Sequence, residues 1–74
     1  MNIQWLLVGG PLDGKTVWVK RGGRVQVGGA TYSGQNYPHD GRLYRVGFVD
    51  PNDLEPSRVI GLIRSTGVQH LTDS

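Results

Sequence analysis

A segment near the start of the chain, Gly9 to Thr16, matches the phosphate-binding pattern G-x-x-x-x-G-K-[ST] at every fixed position. In a nucleotide-binding P-loop, backbone N–H groups cradle the phosphates, the lysine reaches the terminal phosphates and the hydroxyl holds Mg²⁺. That chemistry needs a helix that begins at the lysine, because the helix N-terminus supplies the positive end of a dipole. The residues after Lys15 instead alternate like a strand, and Pro11 lacks an N–H group. We therefore predict a structural turn between two antiparallel strands and no phosphate site.

Three residue types of a hydrolytic triad occur close together in a polar stretch, as Ser33, His39 and Asp40. Adjacent residues of a flexible loop cannot hold a base and the group that orients it in fixed geometry. Turn chemistry explains this composition better, since Asp followed by Gly favours tight turns. The second histidine, His70, is distant in sequence and the chain has no cysteine, so no metal-ligand spacing is recognisable. The sequence predicts no catalytic residue, no cofactor and no metal site.

Acidic residues cluster at Asp50, Asp53 and Glu55. A calcium loop needs more oxygen ligands at alternating positions and a glycine at its turn. The cluster is better explained as a turn followed by acidic side chains near the start of a helix, where negative charge is favourable.

Basic and aromatic residues alternate along residues 42–49, which show the clearest strand pattern in the chain. Arginine and tyrosine interleaved on a sheet resemble the stacking surface of single-strand nucleic-acid binders. The competing interpretation places Tyr44 in the core and the arginines on a solvated face. The candidate binding residues, all basic or aromatic, are Trp18, Lys20, Arg21, Arg24, Tyr37, Arg42, Tyr44 and Arg45.

The two tryptophans, Trp5 and Trp18, lie on the first two predicted strands. If these strands pair around the glycine-rich turn, the two indoles are expected to come near each other. Tryptophan is enriched at the centres of binding surfaces. In a domain this small we expect one indole to be buried and the other to be partly exposed.

The elements that position these residues follow from side-chain periodicity. Alternating patterns predict short strands, over residues 2–8, 15–20, 24–27 and 42–49. The glycine pair at 28–29 is expected to end or bulge the third strand, and residues 30–32 are a candidate continuation of it. The polar stretch 33–41 predicts an exposed loop.

The C-terminal part of the chain has an ambiguous pattern. Residues 57–66 carry apolar side chains on one helical face, and Gly67 suits a helix end. Gly61 and the β-branched residues nearby favour a strand instead. We prefer the helix, and residues 68–71 are a candidate closing strand.

Composition bounds the fold and the class of function. The chain has 74 residues, 12 glycines and 4 prolines, which implies many turns and short elements. We predict a single domain over residues 1–74. Its predicted fold is mainly β, with a curled antiparallel sheet or small open barrel of four or five strands and a short C-terminal helix. So small a core has little room for the water-excluding cleft of an enzyme.

Charge and cysteine usage bear on partner and compartment. The net charge of +2 is lower than that of dedicated nucleic-acid binders. The apolar run at residues 5–8 is too short for a signal sequence or a membrane span. The lack of cysteine fits a reducing compartment. We expect a soluble cytoplasmic protein that has no membrane partner.

The first strand, the glycine-rich turn and the valine-rich strand after it resemble small phage-encoded proteins. Those proteins often begin with a strand and a Gly-Gly-Pro-x-Asp-Gly turn and carry a later tyrosine-containing strand, here residues 43–46. The resemblance implies a phage accessory protein in the host cytoplasm and transfers no catalytic residue. We expect a non-enzymatic protein that binds and modulates a host protein, with inhibition as the preferred form of modulation. The alternatives are a nucleic-acid-binding small β-barrel and a minor virion component. For the preferred protein binder we expect only weak, non-specific contact with nucleic acid.

Overall fold

The computed structural model describes residues 2–20 and 22–71. Within those residues it contains five strands, a short 3-10 helix and one α-helix. The elements in chain order are β1 (Ile3–Val8), β2 (Thr16–Val19), β3 (Arg24–Val27), β4 (Ala30–His39), β5 (Arg42–Phe48), the 3-10 helix (Pro51–Asp53) and α1 (Pro56–Thr66). The prediction of a mainly β fold with a curled sheet and a short C-terminal helix is confirmed.

The strand order β2-β1-β5-β4-β3 is that of an up-and-down ring. The two end strands, β2 and β3, are joined by residues 20–23 alone, so the sheet curls to bring them together and forms a nearly closed barrel. In an up-and-down ring of five strands, the first and last strands run in the same direction because five is odd. β1 and β5 therefore pair in parallel, with Trp5 opposite Arg45, whereas the other three pairs are antiparallel.

Strand β1 is buried on both faces, because its side chains alternate between two sides of the sheet. The outer cluster lies between the sheet and α1 and comprises Leu6, Val8, Tyr44, Val46, Val59, Ile63 and Val68. The inner cluster lies inside the barrel and comprises Trp5, Leu7 and Tyr32, with partly buried neighbours that include Val17, Val19, Val25 and Val27. Trp5 and Leu7 therefore lie on one face of β1, and Leu6 and Val8 lie on the other.

The predicted exposed loop over residues 33–41 is wrong. β4 runs to His39 and pairs with β5 along this stretch. Asp40 and Gly41 form the connecting two-residue turn, with φ values of 54° and 73°. The glycines at 28–29, with φ values of 64° and 81°, form a similar turn between β3 and β4, so they end the third strand.

A proline inside β4 is tolerated because of the direction in which its nitrogen points. Pro38 lies opposite Leu43, and the Leu43 carbonyl accepts a hydrogen bond from the Leu71 N–H at 2.7 Å. The Leu43 backbone groups therefore point away from β4, and in an antiparallel pair the opposite residue points away likewise. The nitrogen of Pro38 faces the free edge of β4, where no ladder hydrogen bond is lost.

Helix α1 settles the ambiguous pattern of the C-terminal part in favour of a helix. It starts at Pro56 and is followed by Gly67, which takes a left-handed conformation with φ of 67°. Val59 and Ile63 are buried on the face that packs against the sheet. No helix in the described part of the chain is long and apolar enough to cross a membrane.

The candidate closing strand over residues 68–71 is not formed. Val68 is buried in the outer cluster. The Gln69 N–H donates to the side-chain oxygen of Gln4 at 2.8 Å, and Leu71 donates to Leu43. This segment is therefore tied to the start of β1 and of β5 by single hydrogen bonds.

The acidic residues after β5 form the predicted turn. The Asp50 carboxylate accepts from the Asn52 N–H at 2.9 Å, and the Asp53 carboxylate accepts from the Asp50 N–H at 3.1 Å. These two reciprocal hydrogen bonds form a capping box at the N-terminus of the 3-10 helix. At the start of α1, Glu55 accepts from the Ser57 hydroxyl at 3.0 Å.

Replacing Gly61 by alanine should stabilise the protein by about 0.5–1 kcal/mol, because glycine in a helix interior is entropically costly. The position is exposed, and no atom lies within 4 Å of the added Cβ. The matched variant Gly67→Ala should destabilise the protein, because its φ of 67° disfavours side chains. Urea denaturation of both variants measures the two effects. A Gly61→Ala variant that is less stable than the wild type would contradict the assignment of residues 56–66 to a helix.

Candidate binding surface

Five backbone N–H groups of the loop between β1 and β2 donate hydrogen bonds within the protein. Gly9 donates to the Asp13 carboxylate at 2.6 Å, and Leu12 donates to the Tyr32 hydroxyl at 3.0 Å. The next three N–H groups donate to backbone carbonyls, from Asp13 to Gly10, from Gly14 to Leu7 and from Lys15 to Leu12. The segment after the lysine is strand β2 and not a helix. The predicted structural turn is confirmed, and the features of a phosphate cradle are absent from this loop.

The same loop ties three parts of the fold together. The Tyr32 hydroxyl, from a fully buried side chain of β4, donates to the Gly9 carbonyl at 2.7 Å. Leu12 packs against the inner cluster. Asp13 forms an ion pair with Arg58 of α1. The loop therefore connects β4, the barrel interior and the helix.

Two of the candidate binding residues point into the protein. Tyr44 is 7% exposed and belongs to the outer cluster, as the competing interpretation holds. The Arg45 guanidinium lies 5.0 Å from the centroid of the Trp5 ring, inside the barrel. It also donates to the Asn36 side chain at 2.9 Å and to the Gly22 carbonyl at 3.2 Å. Arg45 therefore covers Trp5, and two of its donors are bound by groups of the protein itself.

Trp18 is the most exposed of the large apolar side chains in the described part of the chain, at 56%. It lies opposite Gln4, on the outer face, whereas Trp5 is 1% exposed inside the barrel. The expectation of one buried and one exposed indole is confirmed. The expectation that the indoles come near each other is wrong, because the register places them on opposite faces of the sheet.

The remaining candidates occupy two regions. Lys20 and Arg24 are exposed and border the turn between β2 and β3, close in sequence to Trp18. Arg21, the residue after Lys20, lies outside the described residues. Arg42 is exposed, and Tyr37 is half-buried opposite Tyr44, in the hairpin of β4 and β5. The structure therefore separates the candidates into a β2–β3 group and a hairpin group.

Two histidines that the sequence pattern did not connect lie beside Tyr44. The ring centroids of His39 and His70 are 6.3 Å and 6.4 Å from that of Tyr44. The sequence analysis missed His39 because it assigned residues 33–41 to a loop. Had β4 been recognised, strand alternation would have placed His39 on the same face as Tyr37. Tyr44 is consequently enclosed by ring systems from two other segments.

Within residues 2–20 and 22–71, no group of three or more His, Cys, Asp or Glu side chains is placed to hold a metal ion. The fold is a small, nearly closed, barrel-like mixed sheet of five strands with a C-terminal helix. Comparisons with protein-family models, curated proteins and solved structures find no match.

Replacing Gly14 by valine should destabilise the protein by about 1–2 kcal/mol, because a β-branched residue is strained in the left-handed region. The φ of Gly14 is 79°. The control variant, Lys15→Ala, changes an exposed side chain and should leave stability unchanged within about 0.5 kcal/mol. Urea denaturation measures both changes. Tight ATP or GTP binding by calorimetry that is lost in Lys15→Ala would overturn the structural interpretation of the loop.

The stability of the loop should depend on pH through Asp13. The hydrogen bond from Arg58 and that from the Gly9 N–H lower the pKa of this carboxyl below its ordinary value of 3.8. Such a carboxyl stabilises the fold above its unfolded pKa, and the contribution is lost as pH falls through the folded pKa. Asp13→Asn should therefore be less stable than the wild type at neutral pH, and the difference should shrink below about pH 4.

Urea denaturation across this pH range measures the effect. Asn keeps an oxygen for the Gly9 N–H, so the variant removes mainly the charge. Asp40→Asn is the matched control, because Asp40 is exposed and asparagine tolerates its φ of 54°. A stability difference for Asp13→Asn that stays constant down to strongly acidic pH would contradict the ion pair with Arg58.

Proposed function

We propose that this chain is a non-enzymatic protein that binds another protein through a surface centred on Trp18. The observation that carries the proposal is the exposure of this indole, 56%, in a fold that buries Trp5 and Tyr32 almost completely. An exposed indole offers a large, rigid apolar area together with an N–H donor. Such side chains dominate the binding energy of many protein interfaces.

Other exposed apolar side chains support a binding surface less well. Leu43 is 43% exposed and Val49 is 46% exposed. Leu43 lies near the turn of the β4–β5 hairpin, and Val49 follows the end of β5. Single exposed aliphatic residues are common on protein surfaces. Trp18 differs because it is aromatic and lies within a strand, where the backbone holds its position.

Nucleic-acid binding is the alternative function. A stacking surface needs exposed aromatic rings and free cations on one face. Tyr44 lies in the outer cluster, and the donors of Arg45 bind Asn36 and Gly22. The exposed cations that remain favour only weak, non-specific contact with phosphates. Protein binding is therefore the better-supported function.

The proposed partner is a host protein, which the chain inhibits in the host cytoplasm. The support for this choice is the resemblance of the opening segment to phage-encoded proteins. A role as a minor virion component is the third alternative and draws on the same resemblance. Inhibition by covering a working surface of the partner needs no catalytic group, which suits so small a core.

Replacing Trp18 by alanine should weaken binding of the partner by about 2 kcal/mol or more, since hot-spot residues have effects of this size. Val49→Ala is the matched control, because it removes an exposed apolar side chain elsewhere. Tagged full-length variants are used to capture proteins from a host lysate, and mass spectrometry identifies them. Each captured protein is then purified, and calorimetry measures its Kd for the three forms of the chain. Equal Kd values for wild type and Trp18→Ala would overturn the proposal.

Oligonucleotide binding should be weak and non-specific, with a Kd of about 10⁻⁴–10⁻⁶ M at physiological salt. Titration of fluorescent single- and double-stranded oligonucleotides at two salt concentrations measures it. Nanomolar binding at physiological salt that drops in Arg42→Ala would show that the nucleic-acid alternative is right.

A further inference from the structure

Within residues 2–20 and 22–71, one edge of β2 carries backbone groups that pair with no strand. The Leu7 N–H donates to the Lys15 carbonyl, and the Leu7 carbonyl accepts from the Gly14 N–H, each at 2.8 Å. Both backbone groups of Leu7 therefore point towards β2. Because this direction alternates along antiparallel strands, the N–H and C=O groups of Thr16 and Trp18 point away from β1.

The free edge of β3 has the same property. The Gly34 N–H of β4 donates to the Gly23 carbonyl at 2.6 Å. By alternation, the backbone groups of Arg24 and Gln26 point away from β4. β2 and β3 are the two end strands of the curled sheet and do not pair with each other. Their facing edges form a seam, the β2–β3 seam, in the wall of the barrel.

The β2–β3 seam has an apolar floor and positive surroundings. Four half-buried side chains of β2 and β3 pack against the inner cluster on this side of the barrel: Val17, Val19, Val25 and Val27. Residues 14–39 contain four cations and no acidic residue. Lys15, Lys20 and Arg24 are exposed, and the fourth cation, Arg21, lies outside the described residues. The seam therefore combines unpaired peptide groups, apolar contacts, the indole of Trp18 and positive charge.

The seam differs from the free edge of β4. In β4, Pro38 removes an N–H from the free edge and so hinders the addition of a strand. β2 and β3 contain no proline. Lysines beside an edge discourage pairing between copies of one chain, because they repel each other. An acidic strand is the one that their charge favours.

We propose that the β2–β3 seam binds an extended acidic segment of the partner protein, which adds as a strand to the free edge of β2. Apolar side chains of this segment face the valines, and alternate Asp or Glu side chains lie near Lys20 and Arg24. Strand addition supplies main-chain hydrogen bonds, and the alternating side chains supply specificity. The proposal rests on the proposed function, because Trp18 lies on the strand that receives the segment.

The experiment uses the full chain, labelled with ¹⁵N, and two capped peptides as probes. One alternates valine with glutamate over eight residues, and the other replaces each glutamate by lysine. The glutamate peptide should bind about tenfold more tightly than the lysine peptide, because the seam is positive. It should also slow hydrogen exchange at the N–H groups of Thr16 and Trp18. The double variant Lys20→Glu/Arg24→Glu should reverse the preference, and Arg42→Glu is the control that should not.

Thr16→Pro provides a second test of strand addition. It removes one N–H that faces the seam without removing a hydrogen bond to β1. It should weaken binding of the glutamate peptide about fivefold, which is close to 1 kcal/mol, whereas Thr16→Val should not. If Thr16→Pro does not fold, the double variant Lys20→Glu/Arg24→Glu and the hydrogen-exchange measurement still test whether the segment adds as a strand at the seam. Equal binding of the two peptides, no binding of the glutamate peptide, or exchange protection outside the seam overturns the proposal.

The proposed function and the seam fail in distinguishable ways. If a partner depends on Trp18 but binds the charge-reversed variant equally well and leaves the seam amides unprotected, the seam proposal is wrong and the proposed function stands. If the glutamate peptide binds the seam but no partner depends on Trp18, the proposed function is wrong and the seam binds acidic strands independently of it.

Discussion

Burial of β1 on both of its faces is the constraint on which the rest of the structure depends. Trp5, Leu6, Leu7 and Val8 are each at most 1% exposed, so one strand needs apolar partners on two opposite sides. In a flat sheet with one helix, the helix would cover only one of the two faces of β1. The sheet therefore curls around Trp5 and Leu7, while α1 covers Leu6 and Val8.

The curled sheet also decides which surface is left for function. Inside the barrel, Arg45 covers Trp5, and the loop after β1 is held by Tyr32 and by the ion pair between Asp13 and Arg58. The helix occupies the outer face of the central strands. Among the regions that hold candidate binding residues, the β2–β3 seam and the hairpin of β4 and β5 remain exposed. A motif that matches a phosphate site in sequence is used here to hold the barrel together.

Local patterns were enough to predict much of the fold and part of the site. Side-chain alternation predicted β2 and β5, and the Asp13-Gly14 pair is typical of the turn that follows β1. The second half of β4 was missed, because Pro38 and its polar neighbours are typical of a loop, and only the pairing with β5 makes them a strand. Pairing of distant segments also puts Arg45 inside the barrel and β1 parallel to β5. Such non-local contacts leave no periodic signal in the sequence.

Site-specific cross-linking in host cells tests the central claim, that the surface around Trp18 binds a protein. A photoreactive benzoylphenylalanine is placed at position 18 of the full chain and, as a control, at position 43, where Leu43 is similarly exposed. After irradiation, mass spectrometry identifies what each position has captured. The account predicts a protein adduct from position 18 that position 43 does not form. Nucleic-acid adducts alone, or the same adducts from both positions, would contradict it.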